Sequence, residues 1–317
     1  MAPFSGLCGP ADLIEAINRL DSDDDTHMPA WQRFYFTPTE YASVIRWFHT
    51  NPARGVTLRR NLVLDRTTRA FSMTLRYPPK LQRGFLERIY AAITAQFNAF
   101  RSRAPVFSTV VSQILYYQNF PLNTAPGIGT QSLDGSFRLV AEDNIAVALA
   151  VVGPASRHDV GPMVARIMGS ADRRVRRLVV LDVGPFDYVQ RGEGADADME
   201  IVRLTKKATL SQWGMEPVAL PEGKTRWDWK RIGATVAFRT DDGTPVADER
   251  GEKALVLPME LFRGRVAGGR SGAATDYYPV WEENLKITLP ELAQMLAAEE
   301  ELEQERSEGW EMVDGAF

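Results

Sequence analysis

Apolar positions recur at helical spacing twice in the first fifty residues. Leu13, Ile14, Ile17 and Leu20 share one face of a segment that opens at Pro10 and runs into Asp21, Asp23, Asp24 and Asp25, which predicts a helix ending in solvent. Tyr41, Val44, Ile45 and Phe48 line a second helix after Thr37, with Pro38 at its first position and Glu40 three residues past the cap, the capping-box spacing. The period then shortens to two. Residues 56–64 and 71–77 alternate around Asp65-Arg-Thr-Thr-Arg69 and predict a hairpin. Phe85, Ile89, Ile93 and Phe97 restore the helical period over 81–100. A second hairpin is predicted from 136–140 and 145–152, its second strand wholly apolar. A helix over 160–171 leads to another buried strand at 177–183.

Beyond residue 190 the pattern thins. Residues 191–198 read as a loop, 201–210 and 234–239 as strands, Asp241-Asp-Gly-Thr244 as a turn, and the glycine-rich 264–274 as a mobile loop. An amphipathic helix with Leu292, Met295, Leu296 and Leu302 closes the chain over 290–305. Hairpin, helix and strand in this order predict an α/β (α+β) fold, a mixed central sheet flanked by helices. With no repeat and no sharp change of composition, 1–317 is expected to be one domain: a helical part over 1–55, a core over 56–190, and strands with the closing helix over 191–317.

Composition narrows the function. The chain has 317 residues, 44% hydrophobic and 25% charged, and 37 Lys and Arg against 41 Asp and Glu leave a net charge of −4. That balance excludes a generic polyanion binder, so any nucleic-acid contact must be local. Cys8 is the single cysteine, too few for a disulfide or a thiolate cage, and suits a reducing compartment. The N-terminus lacks the basic and apolar regions of a secretory signal, and the most apolar run, Ile145–Val152, has eight residues, far short of a membrane span. A soluble, cytoplasmic protein is expected.

Several phrases in this order resemble a large group of fungal proteins with the PD-(D/E)XK, restriction-endonuclease-like fold. They are Phe71-Ser-Met-Thr-Leu-Arg-Tyr-Pro-Pro79 before the long helix, Leu133-Asp-Gly-Ser-Phe137 at the head of a hairpin, and Ala146–Val152 leading through a helix to Leu178–Val183. Phe238-Arg-Thr-Asp-Asp-Gly243, Leu255-Val-Leu-Pro-Met-Glu-Leu-Phe262 and the acidic closing helix extend the likeness over most of the chain. The resemblance implies a nuclease-like core and a divalent ion held by acids on the helix, at the hairpin and in a Glu-x-Lys or Glu-x-Gln pair on the next strand. Asp134 matches the hairpin acid. The next strand reads Val147-Ala-Leu-Ala-Val-Val152, without a polar side chain, and Gln82-Arg83 stands where the helix acid belongs. One carboxylate does not satisfy Mg²⁺, so nuclease activity is not expected. Glu142 and Asp143 read as solvated turn acids rather than a displaced site, and no metal or cofactor is implied.

Other residues can carry chemistry. Arg157, Arg166, Arg173, Arg174, Arg176 and Arg177 form the clearest basic cluster, open to two readings: phosphate binding, or a solvated helix end favoured by the helix dipole. His158 stands between Ser156 and Asp159, as a proton-transfer group or as a surface histidine beside a cap. Asp182 and Asp187-Tyr188 lie at or past a strand end, where α/β sheets face ligands, although Asp182 could instead pair with Arg177 or a neighbouring strand. Asp134, Asp182, His158 and Tyr188 are the catalytic candidates, and Asp187 and Arg138 the substrate-binding ones. Gly127-Ile-Gly129 is a weak phosphate loop, and Trp213, Trp227 and Trp229 suit a core or lid better than a base-stacking platform.

Three functions compete. One is a repurposed enzyme of specialised metabolism acting on aminoacyl-tRNA, similar to fungal synthases of arginine-containing cyclodipeptides. Another is a catalytically dead nuclease fold kept for binding nucleic acid or protein. The third is a nuclease with an unusual metal site.

Overall fold

A computed structural model describes residues 10–19, 31–50, 59–64, 71–76, 80–103, 108, 111–123, 129–139, 144–152, 160–169, 175–183, 186–191, 198–203, 205–219, 221, 225–246, 253–262 and 282–314. Helix α1 (Pro10–Arg19), strand β1 (Trp31–Phe36) and helix α2 (Pro38–Thr50) open it. The Thr37 box forms as expected: the Thr37 amide donates to Glu40 Oε2 at 2.8 Å and the Glu40 amide returns to Thr37 Oγ1 at 3.3 Å. Strands β2 (Arg59–Leu64) and β3 (Phe71–Arg76) make the first hairpin, Leu64 opposite Phe71, and β3 also pairs with β1.

Helix α3 (Lys80–Arg103) leads to β4 (Ile114–Asn123), β5 (Gly129–Leu139), β6 (Ile145–Val152), helix α4 (Val160–Met168) and β7 (Val175–Asp182). β4, β5 and β6 are successively antiparallel, and β7 runs parallel to β6 with Leu149 beside Val179. The crossover helix α4 is what permits that parallel pair. A separate hairpin of β8 (Phe186–Arg191) and β9 (Asp198–Arg203) follows. Strands β10 (Ala208–Ala219) and β11 (Thr225–Arg239) then extend the main sheet beyond β7. The result is a nine-stranded mixed sheet in the order β1-β3-β2-β5-β6-β7-β10-β11, with β4 also paired to β5. Strands β12 (Ala254–Pro258) and β13 (Asn284–Thr288) form a small sheet before helix α5 (Leu289–Asp314).

Two cores occupy the two faces of the sheet. Phe85, Ile89, Ile93 and Phe97 of α3 and Leu292 and Leu296 of α5 pack with Phe137, Val147, Leu149, Val179 and Leu181. Val164, Ile167 and Met168 of α4 pack with Ala148, Ala150, Leu178 and Val180. Helix spacing and strand alternation thus act together as a three-layer α/β/α arrangement.

The α5 start is a second capping box, Thr288 to Glu291 Oε2 at 2.7 Å and back at 3.3 Å, readable in the sequence but passed over there. Strands β1, β4, β8, β12 and β13 also go beyond the sequence expectation, and β10 and β11 run longer than residues 201–210 and 234–239 suggested. The predicted 201–210 strand is split, residues 201–203 closing β9 and Ala208–Leu210 opening β10. The glycine-rich 264–274 loop lies outside the described residues.

Consecutive glutamates of α5 tie the layers. Glu299, nearly buried, pairs with Arg88 of α3 over the notch left by Gly84. Glu300 takes both ends of the buried Arg239 guanidinium, Nη1 to Oε1 at 2.7 Å and Nη2 to Oε2 at 3.0 Å, while Nε donates to the Gly243 carbonyl at 3.0 Å. Arg239→Ala would leave Glu300 without this partner at a half-buried site, and we expect a loss of about 3 kcal/mol in urea denaturation. Arg239→Lys should recover only part, since an ammonium cannot reproduce the two parallel bonds.

Candidate functional site

The ladder between β5 and β6 runs from Arg138 opposite Ile145 to Gly135 opposite Leu149. Beyond it stands Asp134, 5% exposed, whose Oδ2 accepts the Val151 amide at 2.6 Å. The side chain adds one rung to the sheet and satisfies a buried donor. All eight residues of β6 are buried. The β6 positions next to Asp134 are alanine, leucine and valine, with no carboxylate or lysine among them. Among the described residues no three His, Cys, Asp or Glu come together to hold a metal ion. Around Asp134 the donor set does not fit a divalent cation, because one carboxylate oxygen is engaged by the Val151 amide and the facing strand β6 offers no second carboxylate.

Asp182, half-buried, ends β7 beside Val152 and opposite Thr209. β5 and β7 flank β6, so the backbones of Asp134 and Asp182 meet at the same end of the sheet, on the order of 10 Å apart. A pair between Asp182 and Arg177 is ruled out, because five extended residues separate them by about 16 Å.

The remaining candidates do not converge. Arg138 is about 13 Å along β5 from Asp134, half-buried, with its guanidinium 5.6 Å from the Tyr117 ring centre. Asp187 and Tyr188 belong to β8, opposite Val202 and Ile201, in a hairpin separate from the main sheet. Arg166 lies on α4. Arg157, His158, Arg173 and Arg174 fall outside the described residues, as do Glu142, Asp143 and most of the Gly127-Ile-Gly129 loop.

Arg176 and Arg177 correct the basic-cluster reading in part. They are strand residues, not a solvated helix end, because α4 stops at Met168. Arg176 Nη1 donates to the Leu261 carbonyl at 2.9 Å, and Arg177 Nη1 reaches Gln212 Oε1 at 3.5 Å. Burial pushes the Arg177 pKa down against the pull of Glu216, so charge is being spent inside the fold.

Tyr116 was missed. Its ring stacks on Tyr90 at 4.1 Å, and its hydroxyl lies where a Cβ on Gly135 would come within 2.9 Å, so only glycine fits beside it. Burial raises its pKa, Gln118 opposes this, and the charges of Asp134 and Glu87 add to the rise. The phenol therefore stays protonated and can only donate or accept hydrogen bonds. The signal was readable: in Ile114-Leu-Tyr-Tyr117, Leu115 and Tyr117 are exposed while Ile114 and Tyr116 turn inward.

No protein-family model matches the chain, and no curated protein matches it. No helix among the described residues is long and apolar enough to cross a membrane.

If Asp134 serves the sheet as its bond to Val151 indicates, Asp134→Ala should lower stability by about 1–3 kcal/mol in chemical denaturation. Asp134→Asn, which keeps an oxygen for the amide, should lose less. Equal stability of all three proteins would mean that the bond contributes nothing.

Proposed function

We propose that the chain is a repurposed, non-cleaving enzyme on a nuclease-like scaffold. It recognises an amine or guanidinium through acids at one end of its sheet and takes its acyl group from aminoacyl-tRNA. The observation that carries the reading is the placement of Asp134 and Asp182 on either side of an entirely apolar β6. The mixed sheet with helices on both faces is the coarse architecture such a scaffold requires. The apolar β6 speaks against cutting.

In this chemistry the amine of one aminoacyl group attacks the ester carbonyl of another. An amide C–N bond forms, the ester C–O bond breaks, and the tRNA oxygen leaves with a proton. Repeating the step within the dipeptidyl ester closes a diketopiperazine. Asp182 would hold the cationic group by charge-assisted hydrogen bonds. His158 and Tyr188 would be the first candidates for proton transfer to the leaving oxygen. Arg157, Arg166, Arg173 and Arg174 would contribute salt-dependent phosphate contacts.

A second reading, a binding module without turnover, is favoured by the Asp134 bond to Val151, which gives that acid a purely structural task. One experiment separates them. The protein is incubated with charged tRNAs and the products are read by mass spectrometry. The enzyme predicts an arginine-containing diketopiperazine, lost in Asp182→Asn while tRNA binding persists. Binding without product favours the module. Cleavage of RNA or DNA stimulated by Mg²⁺ or Mn²⁺ would overturn both.

A further inference from the structure

We propose that the outer face of the β10–β11 hairpin is a stacking platform for single-stranded nucleic acid, built on Trp229, Trp213 and Arg231. β11 is the edge strand of the nine-stranded sheet. Along it Trp229 stands opposite Met215 and Arg231 opposite Trp213. Strand alternation puts these four side chains on one face.

The face is graded. Trp213 and Met215 are half-buried against the core beneath α4, and the Trp213 indole donates to Ser211 Oγ at 3.3 Å. Trp229 is 38% exposed, one of four large apolar side chains so exposed among the described residues, with its ring centre 5.7 Å from that of Trp213. An inner tryptophan held by packing thus lies beside an outer one that is largely open to solvent for so large a side chain. Burying the inner ring fixes the pair without using up the outer surface.

Charge selects the ligand class. Arg231 is exposed on the aromatic face, its Nη1 3.4 Å from Thr235 Oγ1. The nearby acids Glu216 and Asp228 pair with each other in register on the opposite face, where Lys230 Nζ lies 3.3 Å from Glu216. Aromatic rings with a cation and, among the described residues of the hairpin, no acid on the same face suit unpaired bases joined by phosphates, since every base has a stacking face. A duplex hides its base faces and gains little here. Gly233, at φ +71°, puts left-handed backbone into the edge just past Arg231, which discourages a further strand from adding in regular register. The platform rests on the hairpin alone and does not require the aminoacyl-tRNA chemistry.

The test is fluorescence anisotropy with a fluorescein-labelled oligo-uridylate of about 12 nucleotides, within the span that single-strand grooves occupy. The expected result is saturable binding that Trp229→Ala weakens about tenfold, the scale of one base–aromatic stack. Trp229→Phe should stay within about threefold, because a ring remains to stack. Arg231→Gln should flatten the log–log salt slope by about 0.7, one single-strand phosphate contact. Circular dichroism melts of each variant check that the fold is kept. Absence of binding, equal affinity of wild type and Trp229→Ala, or equal binding of a duplex of the same length overturns the platform. So does sedimentation showing that Trp229→Ala turns a dimer into a monomer, which would make the face an interface between copies. Oligonucleotide binding without diketopiperazine product would sink the enzyme reading and leave the platform standing; the converse pair of results would do the reverse.

Discussion

The two cores of the molecule meet across β6, and its eight residues are buried on both faces. A strand in that position must be hydrocarbon, because any charge placed there would have to be desolvated and paired on both sides. The antiparallel meander on one side of β6 and the parallel β7 on the other both register on it. Carboxylates stand instead on the flanking strands, Asp134 within β5 and Asp182 at the end of β7.

The acids at that end do not play equal parts. Asp134 completes the β5–β6 ladder through the Val151 amide, a bond that serves folding whatever else the carboxylate does. Asp182 is half-buried and ends β7. Tyr116 sits over Gly135, which has no side chain to exclude it, so this glycine makes room for a phenol.

α5 holds the outer layer through paired charges as well as packing. Two successive glutamates, about 100° apart around a helix axis, reach different elements: Glu299 to Arg88 on α3 and Glu300 to Arg239 at the end of β11. Gln96 of α3 adds a third tie, its side-chain amide exchanging two 2.8 Å bonds with the backbone of Lys286 in β13. These contacts join segments about 60 to 211 residues apart in the chain.

What the chain determined by itself was local. Helical spacing located α2, α3 and α5, the Thr37 box formed as written, and the run from Ile145 to Val152 was legible as a buried strand because alternation and length leave few other uses for it. Strands β1, β4, β8 and the long β10–β11 hairpin were not legible, since their half-polar sequences are stabilised by neighbours across the sheet rather than by their own pattern. The arginines show the same division. Composition grouped Arg176 and Arg177 into one basic cluster, but partners 85 and 35 residues away in sequence decided that one braces Leu261 and the other Gln212. Charge and periodicity are properties of the chain; which charges face each other, and which tryptophan stays open, depend on strand register, and only the folded sheet sets that.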